Sequence, residues 1–455
     1  MANQEKTVYL VHCVDTEGPL YESLEATGER LKAVFGLDVH VTPETLARLK
    51  QGELVPAEMK DSVVNFLSRL DYMQSWDQLD IMLDEIFSPT WRKKYSDDFG
   101  RGYVFSWFIL DHVGFITNPR RRALGYHAVY DHYRQRLSQG SSPHDRLYWH
   151  YHPTSYFREA NKTSNNFSYT CEHLNVLSRR IIDHLDFPAA FRPGSHVERP
   201  DINLFLELWI PIDFGNQGMP ERPEDQTQND NSAGRYGDWR RAPTEWGIYH
   251  PDFYDYQRPG QMRRYMARCL NLDARVRPIT REEIIRAFEA ADGNGKTILS
   301  VTNHDEREMR TGIDWFMKTT RAVQAEMFPE IKIQHANAVE AVRALEGMPR
   351  NAPANLSFEW DGPLLKVHAD QNIWGPQPYF CFKTRTGQYI HENLDHQGPH
   401  DWSFVFDDYF VTLDQIEAIG VATNDRCGNA SVYRLTPDRD LAKTVHRHRN
   451  DADWL

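Results

Sequence analysis

Residues 8–19 read VYLVHCVDTEGP, an apolar run that ends in two carboxylates, a glycine and a proline. The alternating pattern of residues 7–14 predicts a first strand with Asp15 and Glu17 at its carboxyl end. Successive side chains of an extended segment point to opposite faces, so side chains two residues apart point to the same side. The two carboxylates therefore form one convergent pair of polar groups.

A second convergent pair lies in residues 149–153, which read WHYHP. His150 and His152 are again two residues apart on an extended segment, so both imidazoles point to one side. Imidazole together with carboxylate suits Zn, Fe, Co, Ni or Mn, and such a site needs no cysteine. The two segments together predict a mononuclear metal site.

Strand-like runs with polar tips recur along the first three quarters of the chain. Residues 102–112, 147–152 and 297–304 are such runs, and helical patterns separate them. Strands that alternate with helices pair in parallel and share one active face. The sequence thus predicts an α/β fold, with a barrel-like domain over residues 1–347.

Two connecting segments of this domain carry their own predictions. The stretch Asp292-Gly-Asn-Gly295 predicts a turn before the last of these strands. Residues 216–256 are rich in Asp, Asn, Gly, Pro and Trp with little periodicity, which predicts a long loop over the active face. Within it, Trp239 is a candidate for lining a sugar-binding groove.

The pattern changes near residue 348. Alternating residues at 356–360, an Asp-Gly turn and further extended segments predict a small β-rich domain over residues 354–455. About a hundred residues are enough for a core of their own. Binding of carbohydrate, dimerisation and capping of the barrel all stay open as its role, and so does a homo-oligomeric state.

Composition excludes several classes of partner. A net charge of -13 argues against a duplex nucleic acid, which requires a basic surface. No run of eighteen apolar residues and no apolar leader is present, so we expect neither a membrane span nor a signal peptide. The five cysteines lack any Cys-x-x-Cys pair, which predicts buried free thiols and a cytoplasmic location.

Six residues at predicted strand ends carry a family resemblance: Asp15, Glu17, His150, His152, Arg192 and His304. An acidic pair before Gly-Pro, a motif ending in His-Pro, an Arg-x-Gly segment and a late strand ending in His follow one another. This order resembles that of the polysaccharide deacetylase family, the carbohydrate esterases with a NodB-type domain, over about residues 7–310. The resemblance implies an irregular (β/α) barrel that holds one divalent metal and removes N- or O-acetyl groups from sugars.

The resemblance also implies a role for each of these residues. Glu17, His150 and His152 would bind the metal, with Zn²⁺ as the leading candidate. Asp15 would be the general base, Arg192 would orient it through a bidentate contact, and His304 would be the general acid.

The chain departs from the family pattern at two positions. Thr16 separates the acidic pair, which is usually adjacent, and Tyr148 stands where the first metal histidine usually lies. Which carboxylate binds the metal is therefore open; alignment on residues 18–19 favours Glu17 and leaves Asp15 as base.

The resulting hypothesis is a metal-dependent hydrolase that removes acyl groups, N-acetyl foremost, from a sugar or saccharide precursor. A deacetylase-like domain without turnover that binds a glycan is the alternative. A cupin would place an acidic ligand where Tyr156 and Phe157 stand, and an amidohydrolase would carry His-x-His on its first strand. Further pocket candidates, for which ordinary loop hydrogen bonding is the simpler expectation, are Asp111, His112, His196, Asp213, Asp238 and Trp239.

Overall fold

The computed structural model of the chain describes residues 5–111, 113–118, 126–140, 142–160, 162–220, 237–273, 277–349, 351–438 and 444–449. The helices are α1 (Leu24–Phe35), α2 (Pro43–Lys50), α3 (Lys60–Ser68), α4 (Trp76–Phe87), α5 (Pro89–Lys94), α6 (Tyr126–Ser138), α7 (Glu172–His184), α8 (Pro200–Trp209), α9 (Arg281–Asn294), α10 (Arg310–Met327) and α11 (Ala338–Glu346). The strands of the first part are β1 (Thr7–Thr16), β2 (Phe105–Leu110), β3 (Arg146–Tyr151), β4 (Ala190–Pro193), β5 (Ile212–Asn216), β6 (Ile248–Tyr249), β7 (Tyr265–Arg268), β8 (Leu270–Asn271), β9 (Lys296–His304) and β10 (Lys332–His335). Those of the second part are β11 (Leu356–Asp361), β12 (Leu364–Ala369), β13 (Tyr379–Thr384), β14 (Tyr389–Glu392), β15 (Asp395–Gly398), β16 (Asp401–Val405), β17 (Ile416–Asn424), β18 (Ala430–Leu435) and β19 (Val445–Arg449).

A curled sheet forms the centre of the first part. Its strands follow the order β6-β7-β5-β4-β3-β2-β1-β9-β8, and β10 pairs with β1 beside this path. The pairs are parallel except that of β6 with β7. The predicted α/β class with a mostly parallel sheet is confirmed at this level.

Strand β1 is the central strand of this sheet, and all ten of its residues are buried. One edge pairs with β9 along residues 7–15, whereas the other pairs with β10 along residues 7–10 and with β2 along residues 12–16. Burial on both faces accounts for the nearly continuous apolar sequence of the strand. The carboxyl end of β1 is thus held in register between two neighbours.

The two ends of the curled sheet are joined by one short chain segment. Strand β7 pairs with β5, and β8, which starts one residue after Cys269, pairs with β9. The sheet is curled into a half-barrel. Residues 265–271 connect β7, which lies next to the edge strand β6, with β8, the strand at the other edge. This curvature turns the carboxyl ends of the strands toward a common centre.

The second part consists of antiparallel strands. One sheet has the order β11-β12-β16-β15 and another the order β14-β13-β17-β18-β19. Apolar side chains of the second sheet, among them Tyr379, Cys381 and Ala418, share one buried cluster with Val176 and Ile181 of α7. The strands are thus packed on the helical layer of the first part, and the division into two domains stays a prediction.

Three local predictions can be compared with the structure, and those for residues 292–295 and for Trp239 were wrong. Residues 292–294 continue α9 instead of forming a turn, and Gly295, at φ 82°, ends the helix. The described part of the predicted loop over residues 216–256 has neither helix nor strand, except for the last residue of β5, the short strand β6 and an isolated bridge at Pro251, and residues 221–236 lie outside the described residues. Trp239 is only 1% exposed, so it packs inside and does not line an open groove.

Two expectations from composition can be compared with the described residues. No helix among them is long and apolar enough to cross a membrane. All five cysteines are free thiols, and four of them are buried, whereas Cys171 is exposed.

Candidate metal site at the carboxyl ends of the strands

Four parallel strands deliver the six residues selected from the sequence to one place. Asp15 is the penultimate residue of β1 and Glu17 follows that strand; His150 lies in β3 and His152 just beyond it. Arg192 lies in β4, and His304 is the last residue of β9. The carboxyl ends of parallel strands in a curled sheet face one another, which brings together residues separated by up to about 290 positions.

Glu17, His150 and His152 form a group that could hold a metal ion. The Nε2 atoms of the two histidines are 3.1 Å apart. The Oε1 atom of Glu17 lies 3.7 Å from Nε2 of His150 and 3.5 Å from Nε2 of His152. Glu17 and His150 are buried, and His152 is only slightly exposed.

This triangle of ligand atoms has the size that a transition metal requires. Ligands about 2.0–2.1 Å from a tetrahedral zinc ion are about 3.3 Å apart from one another, which falls within the observed edges. Nitrogen and carboxylate oxygen are also ligand types that zinc accepts. The residues present therefore fit a divalent metal without rearrangement.

The second nitrogen of each imidazole has its own partner. Nδ1 of His150 lies 3.1 Å from the backbone oxygen of Arg192, which can only accept a hydrogen bond. Nδ1 of His152 lies 2.9 Å from the hydroxyl oxygen of Thr163. Protonated Nδ1 atoms leave the Nε2 lone pairs for a metal, which is the usual arrangement around metal-binding histidines.

Two glycines permit the chain to follow this path. Gly18 has a φ of +73°, and a Cβ atom there would lie 3.0 Å from the ring of Trp76. A Cβ atom on Gly194 would lie 2.3 Å from the ring of His152. Ser195 and His196, which follow, have left-handed φ values of 51° and 52° without being glycine. Such backbone strain is found preferentially at functional sites.

Arg192 binds Asp15 in a bidentate manner. Its Nε and Nη2 atoms donate to the two carboxylate oxygens over 2.7 and 3.0 Å. Burial alone would raise the pKa of Asp15, but the charges of Arg192 and His150 and the hydrogen bonds from Arg192 hold that pKa well below its ordinary value. Asp15 is therefore ionised, and its Oδ1 atom lies 3.6 Å from Nδ1 of His150.

His304 lies beside the same group. Its Nε2 atom is 3.9 Å from Oε1 of Glu17, and a quarter of its side chain is exposed, which leaves access for a ligand. Burial lowers the pKa of His304, although the negative charges of Asp15 and Glu17 oppose this effect. The neutral imidazole can accept a proton, and the imidazolium so formed can donate it.

Asp305, which no sequence argument selected, fixes the loop that carries Glu17. Its carboxylate accepts hydrogen bonds from the backbone N–H of Glu17 over 2.7 Å and of Gly18 over 3.0 Å. The hydroxyl of Tyr133 donates to the same carboxylate over 2.8 Å. Burial raises the pKa of Asp305, with the charge of Glu306 acting in the same direction.

Thr163 and Asp305 differ in whether the sequence could have identified them as part of the site. Asp305 follows His304 directly, so a search for polar neighbours of the late histidine could have found it. Thr163 lies eleven residues beyond His152 in a polar loop, and nothing in the local sequence distinguishes it from other threonines.

The other residues that the sequence suggested for the pocket make contacts with residues outside the ligand triad. Asp111 pairs with Arg180 over 2.7 Å, and burial raises the pKa of Asp111 to about 6 although Arg180 opposes this. Asp213 pairs with Arg264 and Asp238 with Arg240. The main-chain oxygen of His196 accepts a hydrogen bond from the Trp239 indole, and His112 lies outside the described residues.

Comparisons of the chain with family models, curated proteins and solved structures find no match. Function must therefore be argued from the geometry of the site.

Proposed function

We propose that the protein is a metal-dependent hydrolase that removes acyl groups, N-acetyl foremost, from a sugar or saccharide precursor. One observation carries the proposal: a metal-sized triad of Glu17, His150 and His152 lies beside an ionised carboxylate and an accessible imidazole. Hydrolysis of an amide or ester needs an electrophile, a base and an acid at one place. This group of side chains supplies ligands for the first and candidates for the other two.

The metal is the part of the proposal with the clearest geometric support. Glu17, His150 and His152 would hold it, and Zn²⁺ is the proposed ion among the divalent metals that this donor set accepts. When bound, such an ion supplies Lewis acidity and lowers the pKa of water. Three protein ligands are the number found in catalytic zinc sites, where further positions serve water and substrate.

Asp15 is the proposed general base, and Arg192 positions it. The bidentate contact fixes both carboxylate oxygens, so one orientation toward a water molecule in the site is retained. The same contact lowers the basicity of Asp15, because a carboxylate with a low pKa holds a proton weakly. In this proposal, orientation and a permanent negative charge outweigh the loss of basicity.

His304 is the proposed proton donor to the leaving group. Breaking an amide or ester bond expels an amine or alkoxide, which must be protonated as the bond breaks. The imidazole is close to Glu17 yet partly exposed, so a substrate can approach it. Because burial favours the neutral form, His304 must first bind a proton and acts as imidazolium. The reaction then leaves one proton on Asp15 and a neutral His304, and both residues return to their starting states by proton exchange with solvent, so no net proton is gained or lost.

The sugar substrate and the fold type rest on the family resemblance. The order of the six residues resembles that of polysaccharide deacetylases, and the half-barrel is compatible with an irregular (β/α) barrel of the NodB-like type. Free thiols suit a reducing compartment, so a cytoplasmic saccharide precursor is the proposed substrate. A second function, glycan binding without turnover, is favoured by Thr16, which separates the acidic pair.

The test is release of acetate from a panel of N- and O-acetylated sugars and oligosaccharides. We expect release that stops when a chelator is added and returns with Zn²⁺, and that falls strongly in His304→Ala. The exposed residue His396 provides the control variant His396→Ala, which should keep full activity. Tight glycan binding with no chelator-sensitive release from any panel member would support the binding module instead.

A further inference from the structure

Three exposed aromatic side chains lie on the loop that follows β3. Tyr156 is 77% exposed, Phe157 63% and Tyr169 49%. The rings of Tyr156 and Phe157 meet edge to face with centroids 5.5 Å apart, and Tyr169 lies 6.4 Å from Tyr156. We call these three residues the aromatic surface. Adjacent exposed rings keep apolar area in water, and such grouping marks a binding surface more often than single exposed residues do.

Hydrogen bonds hold this loop in shape. The backbone N–H of Arg158 donates to Ser155, and that of Ile116 donates to Arg158 over 2.8 Å. Ser164 donates to Pro153 over 2.8 Å at the base of the loop. The rings are therefore presented by an ordered backbone, which lowers the entropy lost when a ligand binds.

The aromatic surface and the metal site share this loop. Tyr156 is four residues after His152, so their Cα atoms are at most about 14 Å apart. The loop then returns to the site, where Thr163 contacts the ring of His152. The rings therefore lie within reach of a ligand of a few sugar units that starts at the metal site.

The charges around the rings favour a neutral ligand. Lys162 pairs with Glu159 over 3.0 Å, and Arg158 with Glu172 over 3.5 Å. The Lys162 ammonium also lies 4.5 Å from the Phe157 ring centroid. These paired charges give no excess of one sign, so neither a phosphate-rich polymer nor an anionic membrane is the expected occupant.

Polar groups of the same loop fit a hydroxylated ligand. The Ser155 hydroxyl and the Asn165 carbonyl oxygen are buried, and neither has a hydrogen-bond partner among the described residues. A sugar offers both hydroxyl donors to pair with such groups and flat C–H faces that pack against aromatic rings. Three rings are also a small area compared with the roughly 1,000 Å² that a stable protein interface buries.

We propose that Tyr156, Phe157 and Tyr169 form a subsite for a neutral sugar unit of an extended substrate. This inference rests on the proposed function, since it places the acylated unit at Glu17, His150 and His152 and further units on the rings. It adds that the preferred substrate is an oligosaccharide or a longer glycan and not a monosaccharide.

The test measures binding and turnover separately. Binding of neutral mono- to hexasaccharides built from N-acetylglucosamine, glucose, galactose or mannose is measured by calorimetry with the full-length protein. We expect affinity for at least one series to rise about tenfold or more from monomer to oligomer, equivalent to about 1.4 kcal/mol. The Tyr156→Ala/Phe157→Ala double variant should lose this gain and keep the affinity for the monomer.

The C-terminal part provides a matched control. Tyr409 and Phe410 are also adjacent exposed aromatics, 97% and 55% exposed, and Tyr409→Ala/Phe410→Ala should leave the gain intact. The inference is overturned if no series shows a gain with length, or if the Tyr156→Ala/Phe157→Ala variant retains it. Loss of self-association in that variant, seen by sedimentation without any change in saccharide affinity, would likewise overturn it and indicate a protein interface.

Failure of the proposed hydrolase and failure of the proposed subsite give different experimental results. Ring-dependent oligosaccharide binding without chelator-sensitive acyl release would reject the hydrolase and leave the subsite standing. Acyl release with equal kcat/KM for monomers and oligomers, unaffected by the double variant, would reject the subsite and leave the hydrolase standing.

Discussion

Arg192 binds both carboxylate oxygens of Asp15, and almost nothing of either side chain reaches solvent. A further hydrogen bond from Nη1 of Arg192 to the Phe214 backbone oxygen, over 2.5 Å, ties this pair to β5. Three strands of the sheet, β1, β4 and β5, thus converge on one ion pair. A buried pair of this kind contributes little net stability, whereas loss of one partner leaves an uncompensated charge.

The two carboxylates of the site should respond differently to neutralisation. We expect Asp15→Asn to keep the metal and lose most turnover, and Glu17→Gln to lose both, because only Glu17 belongs to the ligand triad. Asp15→Asn should also lower the free energy of unfolding by about 3–5 kcal/mol, because Arg192 stays buried without its counter-charge. Metal content, acetate release and urea denaturation are the measurements. The reverse pattern of metal content would exchange the two roles.

The histidine pair should determine metal content. Purified protein is expected to hold roughly one divalent ion per chain, since three ligands form one site. His150→Ala/His152→Ala should hold almost none, whereas His368→Ala/His396→Ala, at exposed positions in the second part, should match the wild type. Elemental analysis after dialysis gives the answer, and full occupancy in the first variant would rule out this site.

Thr163 should affect metal affinity without touching the metal. Thr163→Val removes the oxygen 2.9 Å from Nδ1 of His152, so the ring loses its orienting partner. We expect metal affinity to fall about 10–100-fold, as is usual for such outer contacts, and Thr163→Ser to restore it. Competition with a fluorescent chelator measures both variants. Unchanged affinity in Thr163→Val would mean that packing alone orients His152.

Stability should fall as the pH drops from about 6.5 toward 4. Burial lowers the pKa of His12 and His335 to about 4, and that of His173 and His391 likewise. Between these pH values the unfolded chain binds more protons than the folded chain. The free energy of unfolding therefore falls as the pH is lowered, by up to about 1.4 kcal/mol per pH unit for each such histidine.

Urea denaturation between pH 7.5 and 5 measures this slope. His12→Gln should reduce it, because one buried titrating group is removed, and His396→Gln at an exposed position should not. A slope that is identical in His12→Gln and the wild type would contradict the assignment to His12.

Local patterns in the sequence determined the strands and the residue types at their ends. Alternation and apolar runs locate β1, β3 and β9, and the same-side geometry of residues two apart joins Asp15 with Glu17 and His150 with His152. These are properties of consecutive residues, so a sequence suffices to infer them. The roles of the six residues stay predictions, because they concern chemistry that only solution measurements test.

Only the tertiary structure decided that the two pairs lie close together and which residues hydrogen-bond to them. The distance between Glu17 and His152, the contact of Thr163 and the hydrogen bonds of Asp305 depend on strand register and loop path. It also decided that Trp239 is buried while Tyr156 is exposed. Burial and register are set by contacts between residues far apart in the chain, and aromatic residues in a loop carry no periodic pattern from which exposure could be inferred.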